Sequence, residues 1–262
     1  MSRRQRLPLV AATAGAAAAL FILIPLAGLL LRAPWSGFLS DLASPPARKA
    51  LQLSLVTSLA ATALGAAFGL PLAWLLARVE FPGRRLLRAL TVLPMVLPPV
   101  VGGVALLLAF GRRGLVGQYL DRWFDITLPF STTGAVLAAT FVSMPFLVVT
   151  AEAGFRSMDQ RYEDAARTLG AGRWTTFRRV TLPLCGPALA AGAVLCWARA
   201  LGEFGATITF AGNFPGTTQT LPLAVYIALQ ASPQLAITLS LVLLAVSVAV
   251  LVGLRERWTG LG

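Results

Sequence analysis

Long apolar runs separated by short polar, arginine-bearing segments make up almost the whole chain. The runs are Leu9–Leu31, Leu51–Leu76, Leu90–Phe110, Gly134–Ala151, Leu184–Phe210 and Leu235–Leu254, each 18 to 27 residues long. A helix needs about 20 residues to cross a hydrocarbon core, and the strict alternation of barrel strands is absent. Unsatisfied backbone is too costly in lipid for irregular spans, so the pattern predicts an all-α integral membrane protein with six transmembrane helices. A seventh apolar stretch, Leu221–Gln230, is too short to cross and predicts a helix lying at the surface or dipping in. Arg3, Arg4 and Arg6 precede the first run as they would in a signal peptide, but a signal core has only about 7–15 apolar residues. The 23 residues here favour a retained span.

Composition supports the same class. Of 262 residues, 57% are hydrophobic and only 12% charged, against about half and a quarter in a soluble domain. A net charge of +12 would ordinarily raise nucleic-acid binding. The basic residues instead sit in short loops beside apolar runs, where arginine fixes membrane orientation. With the N-terminus inside, the inner segments carry 15 basic residues and the outer ones 6, with Arg199 within a span. That asymmetry predicts both termini in the cytoplasm and places the longest polar loop, residues 152–183, on the cytoplasmic side. No repeat or linker divides residues 1–262, which read as one membrane domain.

Several chemistries are excluded. The chain has no histidine, and its two cysteines, Cys185 and Cys196, fall about 16 Å apart on one predicted helix. They can form neither a disulfide with each other nor an ordinary zinc site. The single lysine, Lys49, is not in a Gly-rich phosphate loop, so the chain has no P-loop ATP site of its own.

Three polar or irregular stretches stand out. The loop segment Glu163–Pro183 opens as a short helix: Ser157 to Gln160 offers a capping box, Glu163 and Arg167 form an i,i+4 pair, and Gly170 supplies a left-handed stop. Ala165 and Ala166 leave one side smooth, suited to a partner's groove, although an amphipathic helix resting on headgroups fits the same residues. In the fifth run, Arg199 and Glu203 are also i,i+4 and flank Gly202, with Gly205 just beyond. Ionised residues in a span face an interior or a water-filled path, or they brace each other. In the third run, Pro94, Pro98 and Pro99 precede Gly102 and Gly103, which predicts a kinked or unwound span of the kind that lines transport paths. Pro145 in the fourth run is a weaker instance.

The order Asp164-Ala165-Ala166, three residues, Gly170, nine residues, Val180-Thr181-Leu182-Pro183 resembles the EAA-x3-G-x9-I-x-L-P signature of ABC importer permeases. Asp164 stands where the family has Glu, although Glu163 precedes it, and Val180 replaces Ile. The stretch from Ala198 through Glu203 to Pro222, with Leu93 to Pro99, is similar to the molybdate importer permeases and, over a shorter core, to the sulfate permeases. The resemblance implies a type I importer fold, a dimer of identical chains, two separate subunits that bind ATP and Mg, and an extracytoplasmic oxyanion-binding protein. It implies no cofactor in this chain. It assigns Glu163, Asp164, Ala165, Ala166, Arg167, Gly170, Leu182 and Pro183 to docking on the ATPase. It favours a path-lining role for Pro94, Pro98 and Pro99, and assigns the loop of Asn213, Pro215, Gly216, Thr217 and Gln219 to the binding protein. Pro145, Arg199 and Glu203 are path or gate candidates from residue type alone, with a structural brace equally open for the Arg199–Glu203 pair. The implied substrate is molybdate, with sulfate or tungstate as alternatives. An ion-coupled secondary transporter, the rival of another class, would be expected to carry more intramembrane carboxylates than Glu203 and the marginal Glu152.

Overall fold

The computed structural model describes residues 9–259, and they are helical throughout apart from connecting loops. Among the described residues, five helices are long and apolar enough to cross a membrane: α1 (Leu9–Leu31), α3 (Pro45–Arg78), α7 (Thr132–Ser157), α10 (Leu182–Leu201, continuous with the preceding turns) and α13 (Pro233–Thr259). A short helix, α2 (Phe38–Ala43), lies between the first two. The predicted third span is two helices, α4 (Arg84–Val96) and α5 (Pro99–Phe110), bent by 120° at Leu97-Pro98. The expected kink is therefore a full break, because Pro98 and Pro99 in succession remove two backbone donors. Arg3, Arg4 and Arg6 lie outside the described residues, and of Arg255 and Arg257 only the backbone is described.

The centre of the fold is α3, α7 and α10. They approach closely because small residues face one another, the packing expected where no hydrophobic force separates helix from lipid. Gly65 of α3 sits against Cys196 and Met144, and Gly69 against Leu147 and Val148. Leu76, Leu147, Val148, Ala151 and Phe155 are buried around this junction with both cysteines. At 34 residues, α3 is about 51 Å long, longer than a hydrocarbon core of about 30 Å. By contrast, the stretch Ala12–Leu31 of α1 has no buried residue, and α1 packs on α13.

Two other boundaries differ from expectation. The fifth span begins earlier than Leu184: α9 (Arg173–Thr176) runs through a π-helical turn, Phe177–Thr181, directly into α10. The π turn sits just before Pro183, where a proline ring would strike the carbonyl four residues back in an α-helix. The same span ends earlier than Phe210. The helix ends at Leu201, with Gly202 as its cap, and a separate short helix, α11 (Gly205–Phe210), follows. Pro145, in contrast, does not interrupt α7, which is continuous from Thr132 to Ser157 with Pro145 buried.

The short apolar stretch near residue 225 forms α12 (Leu221–Ala231), packed on α13 and α3. Its first N–H, from Leu221, donates to Ser54 Oγ at 2.7 Å, so a side chain of α3 satisfies a helix end that lipid could not. Completing the set, α6 (Gly117–Phe124) lies between α5 and α7, and α8 (Arg161–Thr168) between α7 and α9.

Candidate functional site

The polar loop is built around one carboxylate. Glu163 on α8 is buried, and its Oε1 accepts a hydrogen bond from Thr181 Oγ1 at 2.7 Å. Arg78, at the end of α3, brings Nη2 to 3.6 Å from the same oxygen, and Arg167 Nη2 lies 3.8 Å from Oε2. The expected Glu163–Arg167 pair is thus present but is the longest of the three contacts. A single side chain ties α8 to the end of one long span and the beginning of another. Neither Arg78 nor Thr181 could be found from local spacing, since Arg78 is 85 positions away in the chain.

The two ends of α8 follow different rules. The predicted capping box does not form: Ser157 Oγ donates back to the Gly154 carbonyl within α7. Asp159 does the capping, its Oδ1 accepting from the Arg161 N–H at 2.9 Å. The C-terminal stop is as expected. Gly170 has φ +84°, the Gly170 N–H donates to Arg167 O, and the Ala171 N–H donates to Ala166 O, the paired bonds of a Schellman end. Replacing Gly170 with valine should destabilise this end by about 1–2 kcal/mol and loosen α8, read as faster amide exchange at Ala166–Ala171 with α7 unaffected.

The outward side of α8 carries Tyr162, Ala165 and Leu169, all exposed, with Leu169 88% accessible. Their spacing of three and four places them in one helical stripe. Tyr162 and Leu169 were not singled out in the sequence, although this spacing was there to be read. Asp164 is exposed and bonded only to Arg167, at 3.3 Å. Ala166 is half-buried, and Leu182 and Pro183 lie in the first turn of α10 rather than in a loop.

Nearby, Arg84 donates from Nε and Nη2 to the Leu76 carbonyl at 2.9 and 2.6 Å, satisfying the C-terminal end of α3. Arg88 of α4 binds the buried carboxylate of Glu152 on α7, which Arg156 also approaches at 3.6 Å. The ends of α3, α4 and α7 are therefore braced together beside α8.

A second cluster joins the two interrupted spans. A Cβ on Gly205 would stand 2.8 Å from Pro99 Cβ, and one on Gly103 would stand 2.5 Å from Thr209 Cβ. The break at Pro98-Pro99 thus packs on the break at Gly202–Phe204, a juxtaposition the sequence did not disclose. Glu203 lies beyond the helix, not on it, and is 3% exposed. Its Oε1 accepts from the Ala206 N–H at 2.8 Å, capping α11, and its Oε2 lies 2.7 Å from Arg199 Nη1. That second contact is off the hydrogen-bond axis, so it is an ion pair without a well-aligned hydrogen bond. Pro94 is in the last turn of α4, just before the break, and Pro145 is inside the continuous α7.

The loop after α11 is compact. Phe214 O accepts from the Thr217, Thr218 and Gln219 amides, while Thr218 Oγ1 accepts from the Phe214 N–H. Gly212 and Gly216 have φ of +75° and +80°. Pro215, Gly216 and Thr217 are exposed, whereas Asn213 and Gln219 are half-buried. Thr132 Oγ1, at the start of α7, donates to Thr217 O and anchors the loop at the end of the bundle opposite α8.

A broken-span bundle with a braced helix outside it defines a class of transport protein. The chain belongs to the family described as binding-protein-dependent transport system inner membrane component, which it matches over residues 69–260. It is a multi-pass inner-membrane protein. It is 47% identical over 237 residues to the molybdenum transport system permease protein ModB of Mycobacterium tuberculosis, covering 90% of this chain and 89% of the relative. To ModB of Escherichia coli K12 it is 46% identical, over 81% of this chain and 93% of the relative. The sulfate transport system permease protein CysT of Escherichia coli K12 is 38% identical over 80% of this chain and 77% of its own length. Among solved structures, a bacterial ABC transporter that imports alginate shares the fold, with a TM-score of 0.76 and 18% identity over 95% of this chain and 94% of that one.

Proposed function

We propose that this chain is the membrane-spanning permease subunit of an ATP-driven importer that carries molybdate into the cytoplasm. The observation that supports the substrate is the 46–47% identity to molybdenum permeases over most of the chain, against 38% to a sulfate permease. In this reading two copies form the path, two separate subunits bind and hydrolyse ATP with Mg, and an extracytoplasmic protein delivers the oxyanion. Both termini lie in the cytoplasm, and so does α8. The exposed stripe of Tyr162, Ala165 and Leu169, beside Asp164, docks on the ATP-binding subunit. Movement of α8 is passed through Glu163 to Arg78 on α3 and Thr181 beside α10. The packed breaks at Pro99 and Gly205, with the Arg199–Glu203 pair, are where the spans have two arrangements available, as a coupled switch requires. The loop from Asn213 to Gln219 receives the binding protein.

The experiment is uptake of labelled molybdate by the complete importer in vesicles. Uptake should require ATP and should be unchanged by an equal concentration of sulfate. Competition by equal sulfate would reassign the chain to the sulfate group, and uptake in ATP-depleted vesicles under an ion gradient would overturn the ABC mechanism.

A further inference from the structure

Beneath α8 lies a polar cleft of about 590 Å³, lined by Arg78, Glu163, Asp164, Arg167, Arg173 and Thr176 among others. Beside it, between α3 and α10, runs an apolar groove of about 640 Å³ lined by Ala66, Ala67, Leu70, Pro71, Trp174 and Leu182. Trp74, Arg173 and Phe177 line both. The two are neighbours with a common wall, polar at one end and apolar at the other.

The polar end holds unused binding capacity. The Arg78 side chain is 9% exposed, yet its Nε and Nη2 have no hydrogen-bond partner, and neither does the buried Thr176 Oγ1. A buried guanidinium left short of acceptors is costly. The acidic groups facing the cleft do not fill the gap. Glu163 shares its charge with Arg78, Arg167 and Thr181, and Asp164 pairs with Arg167. Among the described residues Arg173 is in no ion pair and is exposed at the mouth. The set is short of an anionic acceptor with several oxygens.

The apolar end is long enough for most of a lipid tail. From Trp74 back to Ala66 is 8 residues of α3, about 12 Å at 1.5 Å per residue. That is most of one leaflet of a hydrocarbon core about 30 Å thick. Trp74 stands where the two ends meet, as an indole ring at the headgroup level would. Trp174 lines the groove next to Arg173, and Phe177 packs against both rings, with centroids 6.2 and 5.8 Å away. Arg178 and Arg179 add exposed positive charge next to the mouth.

We propose that cleft and groove together bind one anionic phospholipid, its phosphate against Arg78 and Arg173 and an acyl chain lying along α3 from Trp74 to Ala66. The bound phosphate adds negative charge beside Arg78, the same residue that pairs with Glu163. Lipid occupancy would then influence how firmly α8 is fixed to the spans. A zwitterionic lipid fits the groove equally well but brings no net negative charge to the arginines.

Tryptophan quenching tests this on the complete importer in phosphatidylcholine vesicles. Brominated phosphatidylglycerol at a low mole fraction should quench emission saturably and more strongly than the same fraction of brominated phosphatidylcholine. Trp174→Phe should remove part of that extra quenching. Arg173→Glu should weaken the phosphatidylglycerol response on the order of tenfold, since each basic group near a surface contributes about 1 kcal/mol. Quenching by brominated phosphatidylcholine should not change, which controls for folding. Equal quenching by the two lipids, or an Arg173→Glu response like that of the parent, would overturn the proposal. The same would follow if cysteines placed at Ala67 cross-linked two copies through the groove. No transport is measured, so failure here leaves the molybdate assignment untouched, and the reverse holds as well.

Discussion

Replacing Glu163 with glutamine should stop most transport while leaving the chain in the membrane. The side chain is 11% exposed and serves Thr181, Arg78 and Arg167 together. An amide keeps one acceptor for Thr181 but removes the charge that Arg78 faces. Breaking one side of a fully buried ion pair costs about 3–5 kcal/mol, and a hydrogen bond to a charged group contributes about 1.5–3. The Arg78 contact is long, at 3.6 Å, so the lower figure is the better guide. About 2 kcal/mol is roughly a 30-fold loss in the population of properly held α8. Uptake should fall by that order, while ATP hydrolysis by the complex loses its dependence on the binding protein. Thr181→Val removes the hydrogen bond alone and should fall between parent and Glu163→Gln. Asp164→Asn is the contrasting variant, since that side chain is 66% exposed and paired only with Arg167. Uptake by Glu163→Gln at the parental rate would show that α8 is held by something other than this carboxylate.

The parts legible in the sequence are those decided within a few turns of chain. Apolar run length gave the five long helices and the stretch that bends into α4 and α5, and Gly170 gave the end of α8 because a left-handed residue after a helix needs no tertiary help. The proline pair and the glycines marked where spans would break. What could not be read is what each break packs against. Pro99 meets Gly205 across more than a hundred residues, and the meeting depends on how α5 turns after Leu97-Pro98. The Arg199–Glu203 pair shows the same limit. Its i,i+4 spacing predicts two residues on one helix, whereas Gly202 ends that helix and frees Glu203 to cap the next one. Spacing identified the partners correctly but not the geometry in which they meet.

The Val180–Pro183 segment shows how a correct motif can carry a wrong structural expectation. The motif predicts a loop that ends at Pro183, before the span. The helix instead runs through it, because a π turn over Phe177–Thr181 shifts the backbone pattern just before the ring. That shift also brings Thr181 into reach of Glu163. A regular helix through the same residues would turn Thr181 to another direction, so the proline and the carboxylate contact belong to one local arrangement.

The glycines around the fifth-span break should separate sharply when each is replaced by alanine. At Gly205 the new methyl would stand 2.8 Å from Pro99 Cβ and 3.3 Å from the Val100 amide nitrogen. Neither obstacle is the end of a flexible side chain: one belongs to a proline ring, the other is backbone. Overpacking of this kind costs about 1–3 kcal/mol, and here the strain falls on the contact between two broken spans. Uptake by Gly205→Ala should drop by about tenfold or more. Recovery of partner subunits with the chain should be unchanged, because Glu163 and α8 belong to the other cluster. Gly202, three residues earlier, is exposed, has no positive φ, and would place its methyl 3.7 Å from the Ala198 carbonyl, an ordinary contact. Gly202→Ala should therefore transport within about twofold of the parent, as a surface change away from strain or cavities does. The comparison distinguishes a hinge from a packed joint. A hinge that needs glycine's backbone freedom would fail at Gly202, and a joint that needs close approach fails at Gly205. Equal loss at both positions would show that the break works by flexing, and the packed-joint reading of the path would have to be given up.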